Sequence, residues 1–595
     1  MLEKKILHCD LCVVGGGIAG MSAAVAAARE GAKVVLMHER PVLGGNASSE
    51  IRMCISCARG ENNRETGLVE EIFLENLYRN PTKSFAIWDT VLYDMIRREE
   101  NITLLLNCTC MDAETDEGEY AYGRTRKIRS VTGYQMTTQR FYEVQAAYFC
   151  DSSGDSILAP LTGAEFRLGR EAKSEFGEDT SVEEADSMTM GMSCLIQGRE
   201  TLEPIKYIPP TWSAPLTHEN FQHRNADPYN PTQNFWYLEL GGDRDTIGDT
   251  ETIRDELLGL AMGTWNYLKN SGRYAMENWE LDFLGFLPGK RESRRMCGEY
   301  MMTQRDICDG KVFDDEVAFG GWPVDDHFPG GFYHKGVPNT DFKTKSPYSI
   351  PYRALYSRNV DNLFFAGRNI SMTHMAMSSI RIMGTCSLLG AAVGKAAFIA
   401  AKEGICPHDV YLKHIRQLQG LLMNSDHFLP SRLRPISEGC KAAQLSAGGE
   451  VLRNGQDRPN AVYGTDSSTA SYAAAQGEEI TYCFPAQKIS AVHITFDSDL
   501  ERETLPGHWV ERQRSTRRFG LRLDTPQMHM PYTLCRSFTL YGIRNGQKRS
   551  LLKVEDNRQR AWHIPVEQVF DSLILVPETV WGDGDKIPVI SFDFT

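Results

Sequence analysis

The chain opens on short apolar runs separated by glycines and by a stretch rich in alanine. Residues 11–14 form an apolar run of strand length, residues 21–30 have the alanine content of a helix, and Gly31 ends that helix. Residues 33–37 form a second apolar run. This order predicts a strand, a tight turn, a helix and a second strand, which is the beginning of a Rossmann-like α/β fold.

The middle of the chain continues with longer elements. Residues 101–107 predict a buried strand, and residues 128–134 and 141–149 predict antiparallel strands around a polar turn. A helix is predicted within residues 243–278. Residues 347–404 predict a strand followed by a long helix punctuated by glycines, so the α/β pattern returns after an intervening region.

The last part of the chain has the pattern of an all-β domain. After about residue 435, short runs of strand length alternate with turns, namely residues 480–484, 491–496, 536–541 and 572–576. This spacing predicts a β-sandwich or jelly roll of the size of one small domain.

Length and charge narrow the protein class. The chain has 595 residues, more than the ~250–300 at which single cores stop growing, so several domains are expected. Its 42% hydrophobic residues are enough to fill such cores. The 64 basic and 78 acidic side chains give a net charge of −14, which argues against nucleic acid or an anionic membrane as a partner.

Cysteine usage and the apolar stretches bear on location. The fifteen cysteines are odd in number and scattered, which is typical of a reducing compartment, so we expect a cytoplasmic protein. The apolar N-terminus is explained by the strand, turn and helix rather than by a signal peptide. Residues 385–401 are apolar but contain Lys395 and two glycines, so no membrane span is expected.

The strongest chemical signal follows the first strand. Gly15, Gly17 and Gly20 form a G-x-G-x-x-G motif, and Glu39 follows nineteen residues later at the end of the second strand. Such glycines permit the tight turn, the approach of a pyrophosphate and close packing of helix on strand. The carboxylate of the acidic residue accepts hydrogen bonds from ribose hydroxyls. The predicted dinucleotide-binding residues of this unit are Gly15, Gly17, Ile18, Ala19, Gly20, Glu39 and Arg40.

Further glycine-rich segments favour FAD over NAD. A flavin needs contacts for its ribityl chain and ring, and a complete second dinucleotide motif is absent from the sequence. The start of the helix after Met383 can stabilise negative charge on a reduced ring. The residues predicted for these contacts are Gly44, Gly45, Asn46, Ser48, Gly154, Asp155, Gly367, Arg368, Gly384 and Thr385.

Several motifs together resemble one family. They are Gly44-Gly45-Asn46, Asp151-Ser-Ser-Gly154-Asp155, Gly289-Lys-Arg291-Glu-Ser-Arg294-Arg295, Gly367-Arg-Asn-Ile-Ser371-x-x-His374 and Ser378-x-x-Arg381-x-Met383-x-Thr385-Cys386. They resemble the bacterial FAD-dependent oxidoreductase family, which is related to the succinate dehydrogenase and fumarate reductase flavoproteins. The resemblance covers residues 9–404, and the chain beyond residue 441 resembles a galactose-binding-like β-sandwich.

The resemblance implies a division of the chain and a mode of cofactor binding. It implies a glutathione-reductase-like FAD-binding domain in two parts, residues 1–185 and 356–435. An inserted α+β substrate or cap domain would occupy residues 186–355, and a β-sandwich residues 436–595. The histidine that binds FAD covalently in succinate dehydrogenases has no counterpart near Gly44, which implies noncovalent FAD.

Three residues are candidates for catalysis. In the fumarate reductase relatives a histidine and an arginine after the strand and glycine turn face the substrate, and His374 lies at the matching offset. Arg381 lies a few residues further along than the relatives' arginine. His327, in Trp322-Pro-Val-Asp325-Asp326-His327, is a third candidate. A histidine suits proton transfer near neutral pH, and an arginine suits a carbonyl or carboxylate.

Other groups have a structural and a functional interpretation. Arg291 and its neighbours could anchor the cap or bind an anionic substrate. Cys54 and Cys57 are better explained as buried thiols than as a redox pair. Aromatic residues of the middle region could stack on sugars or pack the cap, namely Trp212, Phe235, Trp236, Tyr237, Trp265 and Trp279. No metal site is predicted.

The leading hypothesis is an FAD-dependent enzyme that dehydrogenates a secondary alcohol of a carbohydrate or polyol. His374 would take the hydroxyl proton, and Arg381 would steady the developing carbonyl. One alternative is reduction of an activated C=C bond. Another is a flavin fold that serves only to bind. The expected partners are a small-molecule substrate and an electron acceptor, and the sequence leaves the identity of both and the oligomeric state open.

Overall fold

The computed structural model describes residues 2–230, 233–460, 462, 470–500 and 519–595. Within these ranges the buried apolar side chains form three clusters, one for the N-terminal sheet, one for the C-terminal sheet and one around a long helix between them. All fifteen cysteines lie in the described ranges, and each is a free thiol.

The N-terminal sheet combines parallel and antiparallel strands. In spatial order its strands are Ile102–Leu105, Val34–Met37, Lys4–Val14, Arg140–Asp151, Arg126–Gln135 and Cys108–Glu117, with Leu363–Phe365 paired to Arg140–Asp151. The pairings among the first four strands and with Leu363–Phe365 are parallel, and the others are antiparallel. The Rossmann-like start and the predicted strands of this region are thus present.

Two helices of the N-terminal part pack closely against each other. The helix Met383–Glu403 crosses Ile18–Arg29 so closely that a Cβ on Gly390 would lie 2.0 Å from the carbonyl oxygen of Ala19. Only glycine permits this approach. By length and composition Met383–Glu403 could cross a bilayer, but 83% of its most apolar window is buried inside the molecule, which accounts for its apolar sequence.

The other helices are mostly short. Those described are Leu68–Arg79, Phe85–Arg97, Leu158–Thr162, Lys173–Phe176, Thr250–Asn270, Gln304–Asp309, His374–Ile380, Pro407–Asp409, Ile415–Met423 and Glu438–Ala442. The helix predicted within residues 243–278 is Thr250–Asn270.

The cap, by which we mean residues 192–284, is built around that helix. Its own strands are Met192–Ser193, Ile196–Glu200, Glu239–Leu240 and Trp279–Leu284. Gly289–Lys290 pairs with Met192–Ser193, and Gly520–Leu521 pairs with Ile196–Glu200, from outside this range. Four of the six candidate stacking residues, Phe235, Tyr237, Trp265 and Trp279, are buried in its core. Trp212 is 56% exposed, so cap packing rather than a sugar-stacking wall accounts for most of this set.

Three two-stranded sheets lie outside the cap, and one of them contacts it through His327 and Glu239. They pair Phe166–Arg167 with Arg295–Met296, Glu316–Gly320 with Tyr348–Pro351, and Val324–His327 with Asn339–Phe342. Met296, Met302, Phe313 and Val317 pack in the N-terminal cluster rather than in the cap. The predicted substrate domain therefore contributes to two cores.

The C-terminal region forms one antiparallel sheet. In spatial order its strands are Tyr472–Ala475, Lys586–Phe594, Ile480–Phe496, Ala561–Val580, Cys535–Arg544 and Gln547–Val554, with Gln444–Leu445 paired to Ile480–Phe496. The runs predicted as two strands, 480–484 and 491–496, are one long strand that continues through register shifts. The sandwich arrangement itself stays a prediction.

This sheet docks on one helix of the N-terminal part. Leu74 and Leu77 of Leu68–Arg79 belong to the C-terminal apolar cluster. Around them, Glu75 pairs with Arg558 at 3.0 Å, and Arg560 pairs with Asp426. The contact combines buried apolar area with partly buried ion pairs, so the two parts are held as one unit.

Candidate active site

A cavity of about 740 Å³ separates the N-terminal sheet from the cap. It brings together most of the residues singled out from the sequence. The predicted residues on its wall are Gly15, Gly17, Ile18, Ala19, Glu39, Arg40, Gly44, Gly45, Asn46, Gly154, Asp155, Gly367, Arg368, His327 and Arg381.

The nucleotide end of the cavity is shaped by missing side chains. Gly15 has φ +106°, and a Cβ there would lie 2.3 Å from the carbonyl oxygen of Ser152. A Cβ on Gly17 would instead point into the cavity, with its closest neighbour, the Cα of Gly45, 3.8 Å away. The helix Ile18–Arg29 begins at this point, so its free N–H groups face an open cradle that fits a pyrophosphate.

The second strand ends beside this cradle with a fixed turn. Gly16 N–H donates to Nδ1 of His38 at 3.0 Å, and Nε2 of His38 donates to the carbonyl of Val42 at 3.0 Å. The ring is therefore fully occupied by main-chain groups. Glu39 and Arg40, which follow it, lie on the cavity wall, where the Glu39 carboxylate can accept hydrogen bonds from ribose hydroxyls.

A carboxylate between two cations lies further along the wall. Asp155 contacts Nζ of Lys290 at 2.8 Å and the guanidinium of Arg368 at 2.9 Å. Burial raises the pKa of Asp155, but Arg368 and Lys290 outweigh it and hold the pKa below its ordinary value. Nε of Arg368 is buried and has no hydrogen-bond partner among the described residues, so it can donate to an oxygen of a bound cofactor.

Four predicted cofactor residues lie behind the wall. A Cβ on Gly20 would lie 1.8 Å from the carbonyl oxygen of Gly15, which fits its predicted role in helix–strand packing. Ser48 is fully buried. Gly384 packs against Cys57, and Thr385 Oγ1 donates to Glu65 at 2.6 Å. Neither residue lines the cavity, although Met383 and Cys386 at the start of the same helix do.

His374 also lies behind the wall, which corrects its expected role as a base. Its Nδ1 is 2.9 Å from Glu292 and its Nε2 is 2.9 Å from Asp326, and the residue is 2% exposed. Burial lowers its pKa, but Glu292 and Asp326 outweigh it and raise the pKa to about 10. An imidazolium that donates to two carboxylates has no free nitrogen with which to accept a proton.

The strand Val324–His327 explains why the two candidate histidines are separated. Asp326 points to His374, whereas Asp325 and His327 line the cavity. Successive side chains of a strand point to opposite faces. Asp325 and His327 therefore share one environment and Asp326 another.

His327 lies between two carboxylates at the cap end of the cavity. Its Nδ1 is 2.6 Å from Oε2 of Glu239, and its Nε2 is 3.4 Å from Oδ1 of Asp325. Burial lowers its pKa, but Glu239 and Asp325 outweigh it, so the pKa is raised above the ordinary value of a histidine. The ring of Trp236 meets it edge-on at 4.9 Å between centroids.

Two arginines complete the cap end. Arg381 contacts the carbonyl of Asp325 at 3.1 Å and its carboxylate at 3.3 Å. Nε of Arg381 is buried, and the described part of the chain offers it no hydrogen-bond partner. Arg291 lies 3.4 Å from Glu239 and donates to the carbonyl of Trp236 at 2.8 Å. It therefore lines the cavity as well as anchoring the cap.

Sequence reasoning missed Glu239 altogether. It lies in the two-residue strand Glu239–Leu240, where no motif marks it. Asp325 and Arg291 belong to motifs described above, but their positions in the sequence do not predict that both side chains line the same cavity. We call Glu239, Arg291, Asp325, His327 and Arg381 the cap-end cluster.

Comparison with known proteins identifies relatives among the FAD-dependent oxidoreductases. The family model described as FAD dependent oxidoreductase matches residues 10–422. The alpha subunit of sarcosine oxidase from Rhizobium meliloti (strain 1021) is 39% identical over 64 residues, which are 11% of this chain and 6% of that protein. Fumarate reductase (cytochrome) from Shewanella frigidimarina is 58% identical over 38 residues, 6% of this chain and 7% of that protein.

A solved structure of E. coli quinol fumarate reductase, a mutant of its FrdA chain, is 12% identical and covers 69% of this chain and 74% of that one, with a TM-score of 0.26. The chain spans less than a tenth of the length of the two curated relatives. The family match, in contrast, extends over more than half of the chain and includes the whole cavity-forming α/β part. The chain belongs to the FAD dependent oxidoreductase family.

Proposed function

We propose that this FAD-dependent oxidoreductase reduces a carbon–carbon double bond conjugated to a carboxylate or carbonyl group. The observation that carries the proposal is the cap-end cluster, in which Asp325 contacts both the buried His327, whose pKa its carboxylate neighbours raise, and Arg381, whose Nε has no hydrogen-bond partner among the described residues. Both side chains line the same cavity as the dinucleotide loop. A proton donor and an oxyanion binder are the two groups that such a reduction needs.

The residues of the nucleotide end would hold FAD without a covalent bond. The cradle at Gly17 suits the pyrophosphate, Glu39 the ribose and Arg368 a further cofactor oxygen. His38, the histidine of this end, has both ring nitrogens bonded to main-chain groups. When bound and reduced, the flavin supplies a hydride to the substrate.

His327 would supply the proton. Its Nδ1–H donates to Glu239 over a short 2.6 Å contact, whereas its Nε2–H faces Asp325 at 3.4 Å, near the limit of a hydrogen bond. The Nε2 proton is therefore the more weakly held of the two. It would pass to the substrate carbon next to the one that receives the hydride.

Arg381 would hold the activating group of the substrate. Its free Nε–H can donate to a carboxylate or carbonyl oxygen, and Arg291 adds a second positive charge to this end. Negative charge that develops on that oxygen during the reaction is then stabilised by fixed cations in a buried site.

The dehydrogenation of a secondary alcohol, on a carbohydrate or polyol, is the second candidate. It is favoured by the contact between His327 and Glu239, because a carboxylate bonded to Nδ1 orients an imidazole whose Nε2 acts as base. Asn234 and Trp236 on the adjacent wall suit hydroxyl groups and a sugar face. In this direction His327 must be neutral before the reaction.

Two anaerobic half-reactions distinguish the candidates. The purified protein is reduced with dithionite, freed of reductant and mixed with crotonate or fumarate, while the oxidised protein is mixed with sugars and polyols. We expect an enoate to restore the visible flavin band. Bleaching by an alcohol, without reoxidation by any enoate, would establish the second candidate instead.

Arg381→Lys and Arg381→Gln sharpen this test. Both remove the donor at Nε, and the loss of a charge-assisted hydrogen bond of about 1.5–3 kcal/mol should raise KM for the active enoate by ~10-fold or more. Bound FAD should be unchanged, since Arg381 contacts Asp325 and not the nucleotide end. Wild-type KM in both variants would remove Arg381 from substrate binding.

A further inference from the structure

The cap wall beside His327 contains a strained turn. Phe235 has φ +52°, a region that bulky residues seldom adopt, and its neighbours Asn234 and Trp236 line the cavity. The N–H groups of Asn234 and Phe235 donate to Oε1 of Gln233 at 3.1 and 2.9 Å. A conformation of this kind persists only where its surroundings hold it in place.

Phe519, from the C-terminal part of the chain, holds this turn from behind. Its N–H donates to the carbonyl of Gln233 at 2.8 Å, and its ring lies 4.7 Å from the ring of Phe235. It is 1% exposed and stacks with Trp279. A residue distant in sequence thus closes the aromatic core under the cavity wall.

The chain after Phe519 adds a strand to the cap. Gly520–Leu521 pairs in parallel with Ile196–Glu200, and Gly198 N–H donates to the carbonyl of Phe519 at 3.0 Å. A Cβ on Gly198 would lie 3.2 Å from the Phe519 ring, so the missing side chain makes room for it. Leu523 N–H then donates to Glu200 at 2.9 Å.

The same stretch returns to the C-terminal sheet within a few residues. Met528 and Met530 belong to the apolar cluster of that sheet. Met528 N–H also donates to the carbonyl of Pro81 in the N-terminal part. Residues 519–530 therefore connect the cap wall to the C-terminal core and, through one main-chain hydrogen bond, to the N-terminal part.

We propose that Phe519 is a positioning residue for substrate binding, through which the C-terminal region sets the shape of the active-site wall. By packing on Phe235 and bonding Gln233, it fixes where Asn234 and Trp236 stand beside His327. The inference rests on the proposed function in one respect, that the substrate contacts this wall.

The test compares Phe519→Ala with Leu523→Ala, a matched control in the same stretch whose side chain is 62% exposed. Bound FAD, hydrogen exchange of peptides that cover residues 233–240, and KM and kcat with crotonate or fumarate are measured for both. We expect Phe519→Ala to retain FAD, to exchange faster in that peptide and to raise KM at least tenfold, with a smaller change in kcat. Leu523→Ala should match the wild type.

Phe519→Leu provides the conservative variant. It keeps an apolar side chain in the slot, so it should recover most of the wild-type KM and exchange rate. If Phe519→Ala does not fold, the same comparison is made between Phe519→Leu and Leu523→Ala, with smaller effects in the same direction.

Two results would overturn the proposal. One is unchanged exchange of residues 233–240 in a folded Phe519 variant, and the other is an unchanged KM despite faster exchange. The exchange experiment needs no substrate, so it tests the role of Phe519 in holding the wall independently of the reaction. A wild-type protein that reduces no enoate would refute the proposed function alone.

Discussion

The two ends of the cavity bind by different means. At the nucleotide end, main-chain groups and missing side chains shape the glycine loop, as at Gly15 and Gly17, while Asp155 and Arg368 add charges from distant stretches of the chain. At the cap end, five titratable side chains from four stretches of the chain make the site, and each contacts another member of the cluster. The glycine loop therefore depends on space and the cap-end cluster on charge, so substitutions at these two places should have different consequences.

The largest effect is expected from His327→Gln. Glutamine keeps hydrogen-bonding capacity but cannot deliver a proton, so turnover should fall by ~10²-fold or more, the scale of a lost general acid. FAD content should remain that of the wild type, because the nucleotide end is untouched. Stopped-flow reoxidation of the reduced flavin by the active enoate measures the step directly.

A parallel loss of FAD and turnover in His327→Gln would mean that the two ends are not independent. The control is His334→Gln, a histidine on the loop that follows the same strand and that does not line the cavity. It should keep wild-type turnover.

His374→Gln should act on stability rather than on chemistry. The variant leaves the carboxylates of Glu292 and Asp326 without their shared cation, and breaking a buried pair in this way costs about 3–5 kcal/mol. The midpoint of urea unfolding should therefore fall strongly. Turnover per bound FAD, measured at low temperature, should stay within a few-fold of the wild type.

The pH dependence of stability gives the sign of this contribution. The folded pKa of His374 is raised to about 10, above that of an unfolded histidine near ~6.5. The stabilisation is therefore fully present below pH ~6.5 and is lost as the pH rises through about 10. Wild-type protein should lose stability across that window more steeply than His374→Gln, and equal slopes would contradict the ion pairs.

The nucleotide end could be predicted because its information is local. The G-x-G-x-x-G spacing, the alanine-rich helix and Glu39 lie within one βαβ unit, where backbone geometry alone brings them together. Gly384 and Thr385 show the limit of such local information, since neither lines the cavity although Met383 beside them does. The sequence correctly indicated the start of a helix, but it held no information on Glu65, which takes up the Thr385 hydroxyl.

The cap end could not be predicted because it depends on pairing between distant segments. His374 and His327 have equally suitable chemistry in the sequence. Only the alternation along Val324–His327 assigns Asp326 to one and Asp325 to the other. Glu239, which raises the pKa of His327, lies 88 positions away from it in the sequence.

Gly17→Ala tests the nucleotide end by its space. The new Cβ meets no atom closer than 3.8 Å, so the fold should be retained. It does occupy the cradle where the main chain must approach a pyrophosphate, and FAD affinity should fall by ~10-fold, or about 1.4 kcal/mol. Gly118→Ala, on an exposed turn, is the matched control. Titration of the apoprotein with FAD measures both, and full affinity in Gly17→Ala would contradict the cradle.

Glu239→Gln removes one negative charge from the cap end, and its effect should be the smallest of those expected here. Glu239 raises the pKa of His327, so neutralising it should lower that pKa. If His327 is the proton donor, turnover falls as pH rises through this pKa, and the variant's fall moves to lower pH. If His327 is instead the base of a dehydrogenation, turnover rises with pH, and the rise moves to lower pH. Whether wild-type turnover falls or rises with pH therefore shows the direction of proton transfer. A shift of this pH profile in Glu239→Gln shows that His327 is the titrating group. A profile that does not shift would belong to another residue.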